Sequence, residues 1–363
     1  MEDVACLTFK IAIPDKYKSI LNDIYDKSIL CLDRMLKDRT KNSTKYYREI
    51  PSVLAKGLIS KYQRNRKLKQ VKNLVLPICG DKGKVVKIVN GGIRIPPFFK
   101  KDVIHIEFPK EIIGFIRHAE FFKRNKKWFM SYSYNVKKEK PYKINGFLGV
   151  DRNSSDNVAT IADCDTGKVR KIGPSTSDIT RIFRNRRSKL QKKKNKSILK
   201  KIRRKQSNRI KDINHKVSRS IVDYAKLHCS AIVLEDLNGI SKGKNSKRYV
   251  QKSQWSFYQL ETFIKYKAAL LGVPVVYINP AYTSQVCSKC GSINKTKGKD
   301  YKCYNCRHFD HRDVNAAFNI SAQANFIYEQ SIEDNISIER YIGGPLNWTI
   351  EKAIEPELEG SIL

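Results

Sequence analysis

Two hydrophobic periods alternate along the chain and divide it into segments. Leu7-Thr8-Phe9-Lys10-Ile11-Ala12-Ile13-Pro14 reads as a strand. From about Asp15 to Leu36 the pattern is helical, with Ile20, Ile24, Ile29, Leu32 and Leu36 near helical spacing. A second helical pattern runs from about Pro51 through Leu54, Leu58, Ile59 and Tyr62 into the basic stretch 64–72. Strand patterns return at Val85–Val89 and Ile93-Arg94-Ile95-Pro96, joined by the turn Asn90-Gly91-Gly92. Val103–Phe108 and Lys127–Tyr134 add two more strands. Residues 1–145 are therefore expected to form a small β-barrel or sheet, with a helical insert at about 15–72 after the first strand.

A second domain opens at Phe147-Leu148-Gly149-Val150-Asp151, a short apolar strand that ends in a carboxylate. Val158–Ala162 pairs with Val169–Ile172 across the turn Asp165-Thr166-Gly167. Residues 181–219 carry 18 Lys and Arg against the single acid Asp212, a net of +17. Within that run Ile198, Leu199, Ile202, Ile210, Ile213 and Val217 recur at roughly helical spacing, which predicts a helical hairpin with a cationic face rather than a solvated loop. Ala231-Ile232-Val233-Leu234-Glu235-Asp236 is another apolar strand ending in acid. A helix over about 255–271, a strand at 273–278 and a helix at 314–320 complete the pattern. Residues 321–363 change sign, with eight acids against two bases, and are expected to be a loosely held acidic tail.

Length and charge narrow the function. The 363 residues have room for two or three domains, and 40% hydrophobic residues are enough for real cores. No apolar run approaches 18 residues, so no membrane partner is expected. Met1-Glu2-Asp3-Val4 has neither a basic nor an apolar leader, so the protein is expected to be cytoplasmic, nucleoid-associated in a prokaryote, and not secreted. The net charge of +37 exceeds anything a small-molecule enzyme needs and points to a polyanion partner. Charge alone equally suits a ribosome-associated protein.

Of nine cysteines, Cys6, Cys31, Cys79, Cys164 and Cys229 are scattered and read as reduced, buried thiols. The other four form two Cys-x-x-Cys pairs, Cys287/Cys290 and Cys303/Cys306, with 12 residues between them. Four thiolates at this spacing predict a structural zinc ribbon over about 284–308, with one Zn²⁺ and no open coordination position. Lys295, Lys297, Lys299 and Lys302, between the knuckles, suit phosphate contact. So do Lys192, Lys193, Lys194, Lys200, Arg203 and Arg204 in the +17 segment.

Three acids complete the pattern. Asp151 and Glu235 end strands, and Asp313 begins a helix seven residues after the last ribbon cysteine. Any one of them alone would read as an ordinary strand-end or capping acid. Together, in an α/β segment of this element order, they fit an RNase H-like core. Three carboxylates on rigid elements suit two Mg²⁺ ions for phosphodiester hydrolysis.

From Trp255-Ser256-Phe257 onward the chain resembles a known family. Gly272-Val273-Pro274-Val275, Asn279-Pro280-Ala281-Tyr282-Thr283-Ser284-Gln285, the two knuckles and Arg312-Asp313-x-Asn315-Ala316-Ala317 are similar to TnpB, the transposon-encoded RNA-guided nucleases related to type V CRISPR effectors. Asp212-x-x-His215-Lys216, Val233-Leu234-Glu235-Asp236-Leu237 and Trp128 match as well, densely over about 145–320 and loosely before. The resemblance implies a wedge-like β-barrel with a helical recognition insert over 1–145. It implies a RuvC-like nuclease domain carrying the zinc ribbon over 146–320. Guide RNA and target DNA would be the partners, Asp151, Glu235 and Asp313 the Mg²⁺ ligands, and Arg312 a contact to nucleic-acid backbone. His311 departs from the family's usual Asp and Arg307 from a frequent Gly. The competing classes are an RNA-guided binding protein that does not cut, a transposase acting directly in element mobility, and a zinc-ribbon RNA-binding protein.

Overall fold

The computed structural model describes residues 4–333 apart from 40–41, 64, 66–67, 72, 80–82, 154, 193–195, 238–249 and 296–297; at 79, 192, 250–255 and 330–333 only the backbone is described. The chain divides into two compact units, Met1–Lys138 and Glu139–Leu363.

In the first unit the elements run β1 (Val4–Ala12), α1 (Lys18–Asp38), α2 (Ser52–Tyr62), β2 (Val75–Cys79), β3 (Lys87–Val89), β4 (Gly92–Arg94), α3 (Pro96–Phe99), β5 (Val103–His105), β6 (Ile113–Arg124) and β7 (Lys127–Lys137). The strands make two antiparallel sheets, ordered β1-β7-β6-β2 and β3-β4-β5. Where a small β-barrel or sheet is expected, the strands form two sheets: β3, β4 and β5 are only three residues each and make a separate ladder. Helices α1 and α2 lie between the first strand and the rest, as the periodicity predicts. However, α2 stops at Tyr62 and does not extend into the basic stretch, whose described residues 65 and 68–71 are not helical. No apolar face continues there. Trp128 is buried and donates from its indole Nε1 to Asn22 Oδ1 at 3.1 Å, tying β7 to α1.

The second unit runs β8 (Gly146–Arg152), β9 (Ala159–Asp163), β10 (Val169–Ile172), α4 (Thr176–Lys192), α5 (Lys196–Leu227), β11 (Ser230–Glu235), α6 (Val250–Leu270), β12 (Val275–Ile278), β13 (Asp300–Lys302), β14 (Phe309–His311) and α7 (Arg312–Glu333). Five strands form one sheet, β10-β9-β8-β11-β12. β8, β11 and β12 are parallel, while β9 and β10 run antiparallel as a meander on one side. This unit begins several residues before the expected boundary at 146. The reason is packing: Glu139 N donates to Leu270 O at 3.1 Å, and the Tyr142 hydroxyl bonds Ala225 O and Ser230 O at 3.2 and 2.9 Å.

Helices cover both sheet faces, so the central strands are apolar on both sides. Leu148, Val150, Ile232 and Leu234 pack against Val217, Ile221 and Val222 of α5 and Leu260, Ile264 and Ala268 of α6. Phe147, Ala231 and Val233, pointing the other way, pack against Ile320, Ala324 and Ile327 of α7. The same apolar face carries α7 to Glu333, well past the expected end at Ile320, and removes 321–333 from the predicted loose tail. Residues 334–363 of that tail lie outside the described residues.

Candidate active site

The strand period places the first two acids. Val150 pairs with Leu234 across the parallel β8–β11 ladder, so Asp151 and Glu235 are the next neighbours along it. Both alternate onto the face of Phe147, Ala231 and Val233, the face covered by α7. Asp313 lies in the first turn of α7. Gly149 sets how close that helix comes. A Cβ there would lie 2.1 Å from Ala317 O and 2.6 Å from Ser321 N, so only glycine admits this approach. Ser321 Oγ donates to Phe147 O at 2.5 Å and accepts from Cys164 N at 3.2 Å, which docks the helix on β8 and β9.

The three carboxylates converge from segments 84 and 78 residues apart. Asp151 keeps some accessible surface but is enclosed on most sides. Burial first, then the charges of Glu235 and Asp313, push its carboxyl up to about 8 against the opposing pull of Lys299 and Arg152. Burial also raises Glu235, while a 2.6 Å hydrogen bond from Thr283 Oγ1 and the nearby Arg152 hold it down. Arg152 has a fully buried side chain that donates to Glu235 O at 2.6 Å and to Glu261 Oε2 at 2.8 Å.

Asp313 is not the cap of its helix. Its amide donates to His311 Nδ1 at 3.3 Å, and its carboxylate accepts from Asn153 Nδ2 and from Lys299 Nζ at 3.0 Å. Lys299 also sits 3.4 Å from Asp156, and His311 Nε2 lies 3.4 Å from the same carboxylate. Asp156, His311 and Asp313 each place a ligand atom within 4.8 Å of the others. Asp151, Asn153, Lys299, Arg312 and Asp313 line a cleft of about 290 Å³. Arg312 reaches Gly298 O and Ser284 Oγ only loosely, both at 3.5 Å, so its guanidinium has donors left for the cleft. Sequence reasoning missed Asn153, Asp156 and Thr283 as site residues and read Lys299 as a surface phosphate contact. Asn153, two residues beyond Asp151, carried the one local signal.

The cysteines gather as the spacing predicts. Cys287 and Cys306 Sγ are 3.7 Å apart, Cys290 and Cys303 Sγ 3.6 Å, and all four lie within 4.8 Å. A tetrahedron of thiolates about 2.3 Å from zinc has edges of about 3.8 Å, so the cluster is compatible with a zinc ribbon. Two backbone turns build it: Gly291 has φ +73°, and Arg307 follows the second knuckle with φ +60°. The ribbon is stapled to α7. Asn315 Nδ2 donates to Val286 O at 2.7 Å, its Oδ1 accepts from Ser288 N at 3.0 Å, and Asn319 Nδ2 donates to Thr283 O and Val286 O at 2.8 Å.

Lys200, Arg203 and Arg204 are exposed on α5. Burial and the neighbouring Arg203 and Arg184 push Arg187 below its ordinary range, the mark of crowded cations. Lys193 and Lys194, and the side chain of Lys192, lie outside the described residues.

The chain is similar in sequence to known proteins. The Cas12f1-like TNB domain profile matches residues 257–320, from α6 through the ribbon into α7. A CRISPR-associated endodeoxyribonuclease Cas12f2 of a Micrarchaeota archaeon is 30% identical over 67% of this chain and 53% of its own length, so the chain spans about half of that relative. A Cas12f1 complex with sgRNA and target DNA aligns with 87% of this chain and 99% of its own at TM-score 0.40 and 16% identity. A TnpB-like protein of Methanocaldococcus jannaschii is 31% identical over 50% of this chain and 69% of that protein. On that shared length and identity, the chain belongs to the TnpB-like family.

Proposed function

We propose that this chain is an RNA-guided DNA endonuclease of a transposable element, which hydrolyses phosphodiesters at Asp151, Glu235 and Asp313. The observation that carries the reading is the convergence of these three acids, with Asp151 pushed up to about 8 by burial and by the other two. Such crowding is costly unless cations offset it. Hard oxygen donors on rigid strand and helix ends fit Mg²⁺. When bound there, two Mg²⁺ ions would supply an activated water and neutralise charge on the leaving oxygen. The chain's own residues prepare that chemistry. Thr283 orients Glu235, Asn153 and Lys299 orient Asp313, and Arg312 faces the cleft as a phosphate donor. The four cysteines would hold one structural Zn²⁺, and Asn315 and Asn319 transmit that anchorage to α7.

In this reading the second unit is the RuvC-like domain with its inserted ribbon, and the first is the wedge-like domain with its helical recognition insert. The name of the Cas12f2 relative, an endodeoxyribonuclease, supports DNA cleavage. The net charge of +37 supports guide RNA and target DNA as partners.

The test is a supercoiled plasmid carrying a target matched to the RNA that co-purifies with the protein, incubated with Mg²⁺. Wild type is expected to cut it, and Asp151→Asn and Glu235→Gln to retain RNA without cutting. Equal cutting by Asp151→Asn removes the acids from the chemistry. RNA-bound wild type that binds the target without cutting supports the non-cleaving class instead.

A further inference from the structure

A groove of about 740 Å³ lies on the outer side of α5 and α6, and the nuclease reading leaves it without a role. Arg170 of β10, Lys216 and Arg219 of α5 and Lys267 of α6 line it, against the single acid Asp223. His215 and Lys216, from the Asp212-x-x-His215-Lys216 motif, form part of its wall.

Lys267 is the unusual member. The residue is only 8% exposed, yet no carboxylate lies within ion-pair distance of it among the described residues. Its ammonium donates to His215 O and, at 2.7 Å, to Ser218 Oγ, and it sits 5.9 Å from the centre of the Tyr266 ring. Burial first, then Arg219, pulls its pKa down to about 8. A buried cation without an anion is costly. The acids nearby are already engaged: Asp223 pairs with Arg219 at 2.9 Å and Asp212 with Lys216 at 2.9 Å. Beside the ammonium, the His215 ring stacks on Phe263 at 3.8 Å and 12°, held flat with its hydroxyl neighbour Tyr266 at 3.4 Å. A lone buried ammonium, flanking guanidiniums and a flat ring are what a nucleic-acid strand recognises.

Placement decides which strand. α5 and α6 cover the sheet face of Leu148 and Leu234, whereas Asp151 and Glu235 lie on the α7 face. A strand to be cut must reach the acids, so a strand in this groove is held and not cut. Ser220 also lines the groove and offers a hydroxyl partner to a ribose 2′-hydroxyl, which DNA lacks. We propose that this groove binds the RNA strand, with a phosphate on Lys267 between Arg170 and Arg219 and a base over His215. The proposal rests on the RNA-guided reading above for the identity of its ligand.

The test uses the full chain and, as probe, the RNA that co-purifies with wild type, extracted and end-labelled. Single-stranded DNA of the same length is the second arm. Fluorescence anisotropy across a salt series gives affinity and salt slope for wild type, Lys267→Met and the exposed double variant Arg170→Gln/Arg219→Gln. Expected is RNA binding weakened about tenfold at about 0.15 M salt, the scale of one charge-assisted contact. The salt slope should fall by about 0.7 per lost phosphate contact, and DNA affinity should change less than RNA affinity. If thermal unfolding shows Lys267→Met misfolded, the double variant decides alone. RNA affinity and slope equal to wild type in folded variants overturn the proposal, as does a larger loss for DNA than for RNA. Wild type that carries no RNA overturns the guided-nuclease reading itself, a separate outcome.

Discussion

Gly149→Ala tests whether the approach of α7 to β8 sets the acid cluster. The new Cβ would sit 2.1 Å from Ala317 O, and ordinary contact begins near 3.4 Å, so the helix backbone must retreat by about 1.3 Å (3.4 − 2.1). Neither atom it meets can swing aside, since Ala317 O and Ser321 N are both backbone. Overpacking of this kind costs about 1–3 kcal/mol. The same retreat carries Asp313, four residues before Ala317, away from Asp151 and Glu235. A misplacement of about 1 Å in a reacting constellation costs about 100-fold in rate. Chemical denaturation measures the first quantity, and single-turnover cleavage of a matched plasmid the second. Gly146→Ala is the control, because its Cβ meets only the movable Asp165 carboxylate at 3.1 Å. A Gly149→Ala protein with wild-type stability refutes the packing argument whatever the chain's activity. A destabilised variant that still cuts at the wild-type rate separates helix position from chemistry.

Three further outcomes are expected. In the metal-free protein Asp151 titrates near 8, against about 3.9 for an unfolded aspartate, so its contribution to stability is present at low pH and is lost as pH rises through about 8. Mg²⁺ competes with that proton, so its affinity should rise about tenfold per pH unit between about 6 and 8 and then level off; a flat calorimetric titration across that window contradicts the crowding argument. Thr283→Val removes the hydroxyl bonded to Glu235 at 2.6 Å and should cost about 1–3 kcal/mol on denaturation, together with cleavage activity; unchanged stability would show that water replaces the hydroxyl. Arg307→Gly should stabilise the ribbon by about 0.5–1 kcal/mol, because it relieves a left-handed residue costing about 1–2 kcal/mol and gives back part of that in glycine's unfolded freedom. A fall in midpoint on thermal unfolding of the zinc-loaded protein is the contrary result.

The elements that carry the acids were the most legible in the sequence, and for a physical reason. β8 and β11 are buried on both faces, so they appear as unbroken apolar runs that stop at a carboxylate. Elements with a local irregularity were hidden. β6 has register shifts between Ile113, Ile116 and His118, which break its period of two. β2 contains Pro77, which argues against a strand, yet among the described residues β2 pairs with β6 alone, at the sheet edge, where a missing amide is tolerated. The acids of 321–363 mask the last turns of α7, although Ala324 and Ile327 continue its apolar face. Lys299 and Asp156 could not be placed at the site from sequence, since each lies on a loop whose course depends on tertiary contacts.

Those loop residues change the meaning of the ribbon. Its knuckles flank the segment that carries Lys299, and Lys299 reaches back to Asp313. The Lys299 carbonyl in turn accepts from Arg312 N at 2.7 Å, so one residue fixes both the charge beside the third acid and the first turn of its helix. Asn315 and Asn319 close the loop by holding Val286, next to Cys287. The ribbon and the start of α7 are therefore one hydrogen-bonded assembly, anchored to the sheet through Gly149 and Ser321. A metal in the ribbon would then act on Asp313 through backbone placement rather than through charge. Replacing a ribbon cysteine should lower cleavage even where the five-stranded sheet stays folded.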